Sequence, residues 1–159
     1  MNKYKFRGLT LTKDKQGKRQ WIYGDLITVK KGRTFILPED FLLTTAPLGN
    51  SLDVHEANIV LVEVDPETVG RYVQIEDKNN RKIYEGDIVK LKLTIEKYNR
   101  DGYFEDKKVV ETIKVIKTPS ILETWEKSWG SHSNVFVESI EVIGNIYEDT
   151  GLLKEVQGD

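Results

Sequence analysis

The stretch Val64–Leu91, VDPETVGRYVQIEDKNNRKIYEGDIVKL, decides the fold class. It opens with Asp65-Pro66-Glu67-Thr68-Val69-Gly70. Asp can cap a helical turn, Pro suits the first helical position, Glu suits the positive end, and Gly suits an exit needing positive φ. One helical turn is expected there, not a catalytic loop. Arg71–Ile75 then reads as a strand, and Asp77-Lys78-Asn79-Asn80 as a polar turn built from residues that tolerate left-handed backbone. Lys82-Ile83-Tyr84 leads through Gly86-Asp87 into Ile88–Leu93, where apolar and charged residues alternate strictly after Val89. Turn, strand, turn, strand within 28 residues is the grammar of antiparallel β-structure.

The same grammar extends outward. Tyr4–Leu9 alternates, Asp14–Lys18 is a polar turn containing Gly17, and Gln20–Tyr23 resumes a β-rich run, so an N-terminal hairpin is expected. Gly24-Asp25 separates it from a further run, Leu26–Val29. Lys30–Arg33 reads as a turn and Thr34–Leu37 as a strand. Pro38–Leu43 has the residues of a short helix start, and residues 44–58 read as a loop. Ile59–Val64 is an almost unbroken apolar run, expected to be a buried strand. Asn99-Arg100-Asp101-Gly102 is a strong turn signal, across which 93–98 and 109–116 pair as a long hairpin with a mobile charged tip at 97–108. Ser120-Ile121-Leu122-Glu123 matches a capping box, and Leu122, Trp125 and Trp129 follow at helical spacing up to Gly130. Residues 135–148 return to β. The expected fold is mainly β, with α+β as the alternative: a small curved sheet or partly open barrel with one or two short helices.

Composition bounds the rest. A chain of 159 residues has a prior of one domain, 1–159, large enough for a real core. The absence of cysteine excludes disulfides, thiol nucleophiles and cysteine zinc sites. No apolar run reaches the ~20 residues of a membrane span, and the basic N-terminus lacks the apolar segment of a signal peptide. A soluble cytoplasmic protein is expected. Charge is mixed, with a net of −2, but unevenly placed. Residues 1–33 carry 10 basic against 2 acidic side chains, and residues 34–89 carry 4 against 11. Such an imbalance either faces an anion or matches an oppositely charged segment in the fold or across a subunit contact. The second reading is preferred, because no aromatic-basic motif accompanies the lysines. Lys13, Lys15, Lys18 and Arg19 remain the candidate interaction cluster, with Trp125 and Trp129 as the apolar candidates.

Catalytic chemistry finds little foothold. His55 and His132 stand in no metal spacing. Ser131-His132-Ser133 sets hydroxyls beside an imidazole without a third group or an oxyanion hole. Asp65, Glu67, Asp77, Glu85 and Asp87 form a carboxylate-rich stretch able in principle to hold a divalent cation, yet each has a reading in a cap or turn. Gly70, Gly86 and Gly144 stand singly beside strands, as in turns and bulges. Tyr84–Val89 also has the look of an entry into a small SH3-like barrel strand. DKQGKRQWIYGDLI (14–27) and DKNNRKIYEGDIV (77–89) echo each other, and shared turn chemistry is preferred over duplication of a hairpin. No catalytic residue, metal ligand or cofactor is assigned.

Four segments together resemble one family. KFRG (Lys5–Gly8), WIYGD (Trp21–Asp25), the Val64–Leu91 block and VIGNIYED (Val142–Asp149) are similar to the YopX proteins of bacteriophages and prophages of low-GC Gram-positive bacteria. The residues carrying the likeness are Asp65, Pro66, Glu67, Thr68, Val69, Gly70, Tyr84, Gly86, Asp87, Gly144, Asn145 and Tyr147. The resemblance implies a phage-encoded accessory protein of the bacterial cytoplasm, from a family with no assigned biochemical activity. The expected role is a non-catalytic, homo-oligomeric binding or assembly module, with a host bacterial protein as a further partner. Nucleic-acid binding through the basic N-terminal segment is the alternative, and a metal-dependent enzyme using the 65–87 carboxylates ranks third.

The helical spacing of Trp125 and Trp129 puts both on one face. Truncation of either to Ala is expected to cost roughly 3–5 kcal/mol. Unchanged denaturant midpoints for both variants would refute the helix.

Overall fold

The structure, a computed structural model, describes residues 5–29, 32–39, 61–117 and 133–156. The chain divides into two compact units, Met1–Val69 and Gly70–Asp159. The fold is mainly β, with antiparallel pairing throughout the described sheets.

The first unit is a four-stranded sheet in the order β4-β3-β2-β1. Its strands are β1 (Phe6–Leu9), β2 (Trp21–Thr28), β3 (Thr34–Pro38) and β4 (Val62–Val64). β2 runs unbroken through Gly24, so the two β runs read on either side of Gly24-Asp25 are one strand. The glycine is needed because a Cβ there would fall 1.8 Å from the Leu37 carbonyl oxygen of β3. Pro38 ends β3 rather than starting a helix, and the Glu39 amide donates to the Tyr23 carbonyl. Residues 40–43 lie outside the described part. Of the run Ile59–Val64, residues 59 and 60 lie outside the described part; Val62–Val64 form β4 at the edge of the described sheet, with Leu61 exposed and Val64 fully buried. Its side chain packs against Gly8, where a Cβ would meet it at 3.0 Å.

After β4 the expected helical turn forms as a 3-10 turn over Pro66–Thr68. The Asp65 carboxylate accepts from the Glu67 amide, as an N-cap should.

The second unit opens with a hairpin, β5 (Gly70–Glu76) and β6 (Lys82–Tyr84). An open three-stranded sheet follows in the order β8-β7-β9, from β7 (Asp87–Tyr98), β8 (Phe104–Val115) and β9 (Ser133–Asn145). One short helix, α1 (Leu152–Val156), comes last. Strand β7 is central. Val89, Leu91, Leu93 and Ile95 lie on one face and are fully buried, each worth about 1.5–3 kcal/mol by removal from water. Val89, Leu91 and Leu93 form the core with Val73, Ile83, Ile116 and Val142. The segment expected to be a mobile tip is paired ladder: Lys97 stands opposite Asp106 and Tyr98 opposite Phe104. The Tyr98 and Phe104 rings meet edge to face, 6.0 Å apart. The barrel-like Tyr84–Val89 entry feeds this open sheet. The helix read at 120–129, with Trp125 and Trp129, lies outside the described residues, as do His55 and His132.

Gly70 requires a correction. It does not adopt positive φ. It opens β5, and a Cβ would fall 2.3 Å from the Glu85 carbonyl oxygen. The glycine is needed for close approach of two backbones. Gly70→Ala is therefore expected to destabilise the protein by roughly 1–3 kcal/mol or more, read as a lower urea midpoint at unchanged m-value.

Candidate functional site

Three hairpins turn on the same five-residue device. In the first, Asp14 Oδ1 accepts from the Gln16 and Lys18 amides at 2.8 and 2.9 Å, and Gly17 has φ 78°. In the second, Asp77 Oδ1 accepts from the Asn79 and Arg81 amides at 2.8 and 3.0 Å, and Asn80 has φ 61°. In the third, Asn99 Oδ1 accepts from the Asp101 and Tyr103 amides at 3.0 and 2.9 Å, and Gly102 has φ 84°. Each first residue also bonds the fifth through backbone, and the fourth residue's amide donates to the first residue's carbonyl. This is a three-residue hairpin loop closed by an Asx side chain, with its left-handed residue last. The echo between 14–27 and 77–89 is this device. It recurs at Asn99 without the rest of the echo, which favours shared turn chemistry.

Asp77 does more than close its turn. It is 4% exposed, and its Oδ2 accepts from the Val142 amide of β9 at 3.1 Å. Burial pushes its pKa up, but the three amides and the nearby Arg81 outweigh this and hold it below the usual carboxylate value. The Lys78 amide donates to the Ile140 carbonyl, and Lys78 Nζ pairs with Glu141 at 2.6 Å. The β5–β6 turn is thus bound to β9 by a carboxylate, an amide and an ion pair.

The family-motif residues of the second unit converge on one corner. Asp87, 1% exposed, accepts from the Tyr84 amide through Oδ2 at 2.8 Å. Gly86 has φ 86°, and a Cβ there would lie 2.9 Å from the Tyr147 ring. Its amide donates to the Ile116 carbonyl, and its own carbonyl accepts from Ile146. Asn145 Oδ1 accepts from the Tyr147 and Glu148 amides, while its amide donates to Asp149 Oδ2. Gly144 makes room, since a Cβ would sit 2.6 Å from that same oxygen. The ends of β7, β8 and β9 are tied here. The glycines were legible as turns or bulges and Asn145 only through the family likeness, within a run read as β; their meeting depends on β7–β9 register.

Gly70 opens β5 of the second unit, and the remaining motif residues lie in the first. Arg19 pairs with Asp65 at 2.9 Å and donates through Nε to the Thr10 carbonyl at 2.6 Å. The Arg19 contact holds the Asp65 carboxyl below its usual range, against desolvation. Thr68 Oγ1 accepts from the buried Leu9 amide at 2.9 Å, a role that nothing in the sequence signalled. Glu85 instead binds the Arg71 amide and guanidinium. Among the carboxylates read as a candidate cation stretch, Asp65, Asp77 and Asp87 are acceptors of backbone amides. The described residues contain no group of three or more His, Cys, Asp or Glu placed to hold a metal ion.

Of the basic candidates, Arg19 belongs to this architecture. Lys13, Lys15 and Lys18 are exposed together around the Asp14 turn.

The outer face of the β7–β9 sheet, opposite the core, is the remaining feature. Lys92 pairs with Glu138 at 3.0 Å, Lys90 with Glu111 at 2.9 Å and Lys107 with Glu96 at 3.4 Å. Thr94 donates to Glu138, which with Lys92 keeps that carboxyl below its usual range. Between the charges lies a cross-strand row, Val109–Thr94–Phe136. Val109 and Phe136 are 54% and 50% exposed.

The family model described as YopX protein matches residues 5–154. The chain belongs to the YopX family. No curated protein and no solved structure matches it. The match covers both units, the motif corner and the basic loop of this YopX chain. None of its described helices is long and apolar enough to cross a membrane.

Asp14 and Asp77 share a turn but differ in burial and partners. Asp14→Asn keeps an acceptor for both turn amides, as Asn99 does, and is expected to leave the urea midpoint nearly unchanged. Asp77→Asn would turn an amide NH2 toward the Val142 N–H and is expected to cost roughly 1–3 kcal/mol. Because the Asp77 pKa is depressed on folding, its contribution is complete above the ordinary carboxylate value of 3.8. It is lost as pH falls through the lower folded value. Melting temperatures of wild type and Asp77→Asn between pH 6 and about pH 2 should therefore converge on the acid side.

Proposed function

We propose that this YopX chain is a non-catalytic, homo-oligomeric binding or assembly module, encoded by a phage or prophage and acting in the host cytoplasm. The observation carrying this reading is the ion-paired outer sheet face, where half-exposed Val109 and Phe136 stand on either side of Thr94. Asp65, Asp77 and Asp87 support it further, since each accepts a backbone amide. A host bacterial protein is a second kind of partner for the same role. Light scattering at micromolar concentration is expected to give a multiple of 18.3 kDa. A monomer alone would remove the homo-oligomer.

Nucleic-acid binding is the second reading, favoured by Lys13, Lys15 and Lys18 on one exposed loop. Phosphate contacts would release counterions and give affinity that falls steeply with salt. The informative variant changes these three lysines to Glu and leaves Arg19, which is held by Asp65. No specific complex is expected from wild type at physiological salt. A tight, sequence-selective complex lost in the triple variant would put this reading first.

A further inference from the structure

We infer that two copies of this chain pair through the outer edge of β8, antiparallel and centred on Val109, making one six-stranded sheet from two three-stranded ones. This rests on the assembly reading above and gives it a surface.

Strand β8 is 12 residues long and pairs only with β7 among the described strands. A long edge presents a row of backbone donors and acceptors to another strand. The first half of β8 is exposed on both faces, with Phe104 at 58%.

Charge and the matching of the outer face separate the registers centred on residues 106–111. A two-fold axis perpendicular to the sheet keeps each face on its own side, so the axis must pass beside one residue, which then meets its own copy. Centring on Asp106, Lys107, Lys108 or Glu111 sets like charges together, which is destabilising. Centring on Val109 places Lys107 opposite Glu111 of the partner subunit, twice by symmetry. It also sets Lys108 opposite Val110 and Asp106 opposite Thr112, with no like-charge pair. Centring on Val110 forms Asp106–Lys114 pairs, but sets Val109 against Glu111 and Lys107 against Ile113, breaking the outer face.

The Val109 register also continues what each sheet already has. Within one copy, Glu96 faces Lys107 and Lys92 faces Glu111. Across the axis these rows join as Glu96, Lys107, Glu111 of the partner subunit and Lys92 of the partner subunit, alternating in sign. The row Phe136–Thr94–Val109 meets its own copy at Val109, so that the two valines adjoin and the rows join across six strands.

The test uses the full chain and two variants, Lys107→Glu and Glu111→Lys, in sedimentation velocity. Each alone puts like charges in both symmetric contacts and is expected to weaken dimerisation by about tenfold or more. Mixed in equal amounts, they restore opposite charges in both contacts, and a heterodimer of near wild-type affinity should form. Each variant also disturbs a pair inside its own chain, with Glu96 or Lys90. Mixing cannot repair those, so recovery on mixing reports the interface alone. An oligomeric wild type whose variants associate unchanged overturns the β8 interface and leaves the assembly reading standing. An oligomeric wild type whose weakened variants do not recover on mixing overturns the Val109 register. A monomeric wild type overturns both interface and assembly.

Discussion

Strand β7 has to bury one face completely while bonding along both edges, and the second unit is arranged around that requirement. Val89, Leu91, Leu93 and Ile95 supply the apolar face. β8 and β9 supply the two ladders. A strand buried on one face has a strongly specified register, because a slip of one residue would exchange Leu93 for Lys92 in the core. Register on β7 in turn sets what meets at its ends. Asp87 lies opposite Asn145 and Ile88 opposite Gly144. The corner of Gly86, Asn145, Tyr147 and Asp149 therefore follows from the packing of a strand several residues away.

Carboxylates and amide oxygens do most of the joining in this protein, and they act on backbone. Asp14, Asp77 and Asn99 each close a turn. Asp65 caps one, and Asp87 and Asp149 hold the motif corner. A charged acceptor on an amide is stronger than a neutral one, and burial raises the cost of leaving either side unmade. This explains how a chain rich in acidic residues can spend so many of them on structure. The family motif is then a record of how the chain turns and docks. The surfaces that differ in kind, the lysine loop and the outer sheet face, lie at positions the motif does not name.

Local chemistry was legible in the sequence, and long-range chemistry was not. Asp65-Pro66-Glu67 announced its turn, and the Asn99–Gly102 turn set the β7–β8 hairpin. Gly70 was visible as a position needing glycine, but its reason is an approach by Glu85, from the β6–β7 turn, whose distance no local pattern encodes. Val62–Val64 looked like part of a core strand because apolar runs do not say whether they lie at the middle or edge of a sheet. Gln74 sits at φ 65° where β5 bulges against β6, a conformation its residue type does not favour. The bond from the Leu9 amide to Thr68 and the exposure of Val109 and Phe136 on the outer face had no local sequence signal. The charge asymmetry was partly internal, since Arg19 finds Asp65 and Arg33 finds Glu63.

The Asx turns also bear on the order in which the chain organises itself. A five-residue closure involves little loop entropy, so the hairpins β1–β2, β5–β6 and β7–β8 join neighbours in sequence and belong to the microsecond regime. β9 is different. Its ladder asks Lys97 to find Ser133 and Asp87 to find Asn145. Contacts of such separation dominate the folding barrier. Docking of β9 is therefore expected to be slower than closure of the β7–β8 hairpin, and the bond from Val142 to Asp77 forms with it. Until then the nascent chain holds a preformed β7–β8 ribbon with one apolar face open to water, the state in which it is most exposed to mispairing.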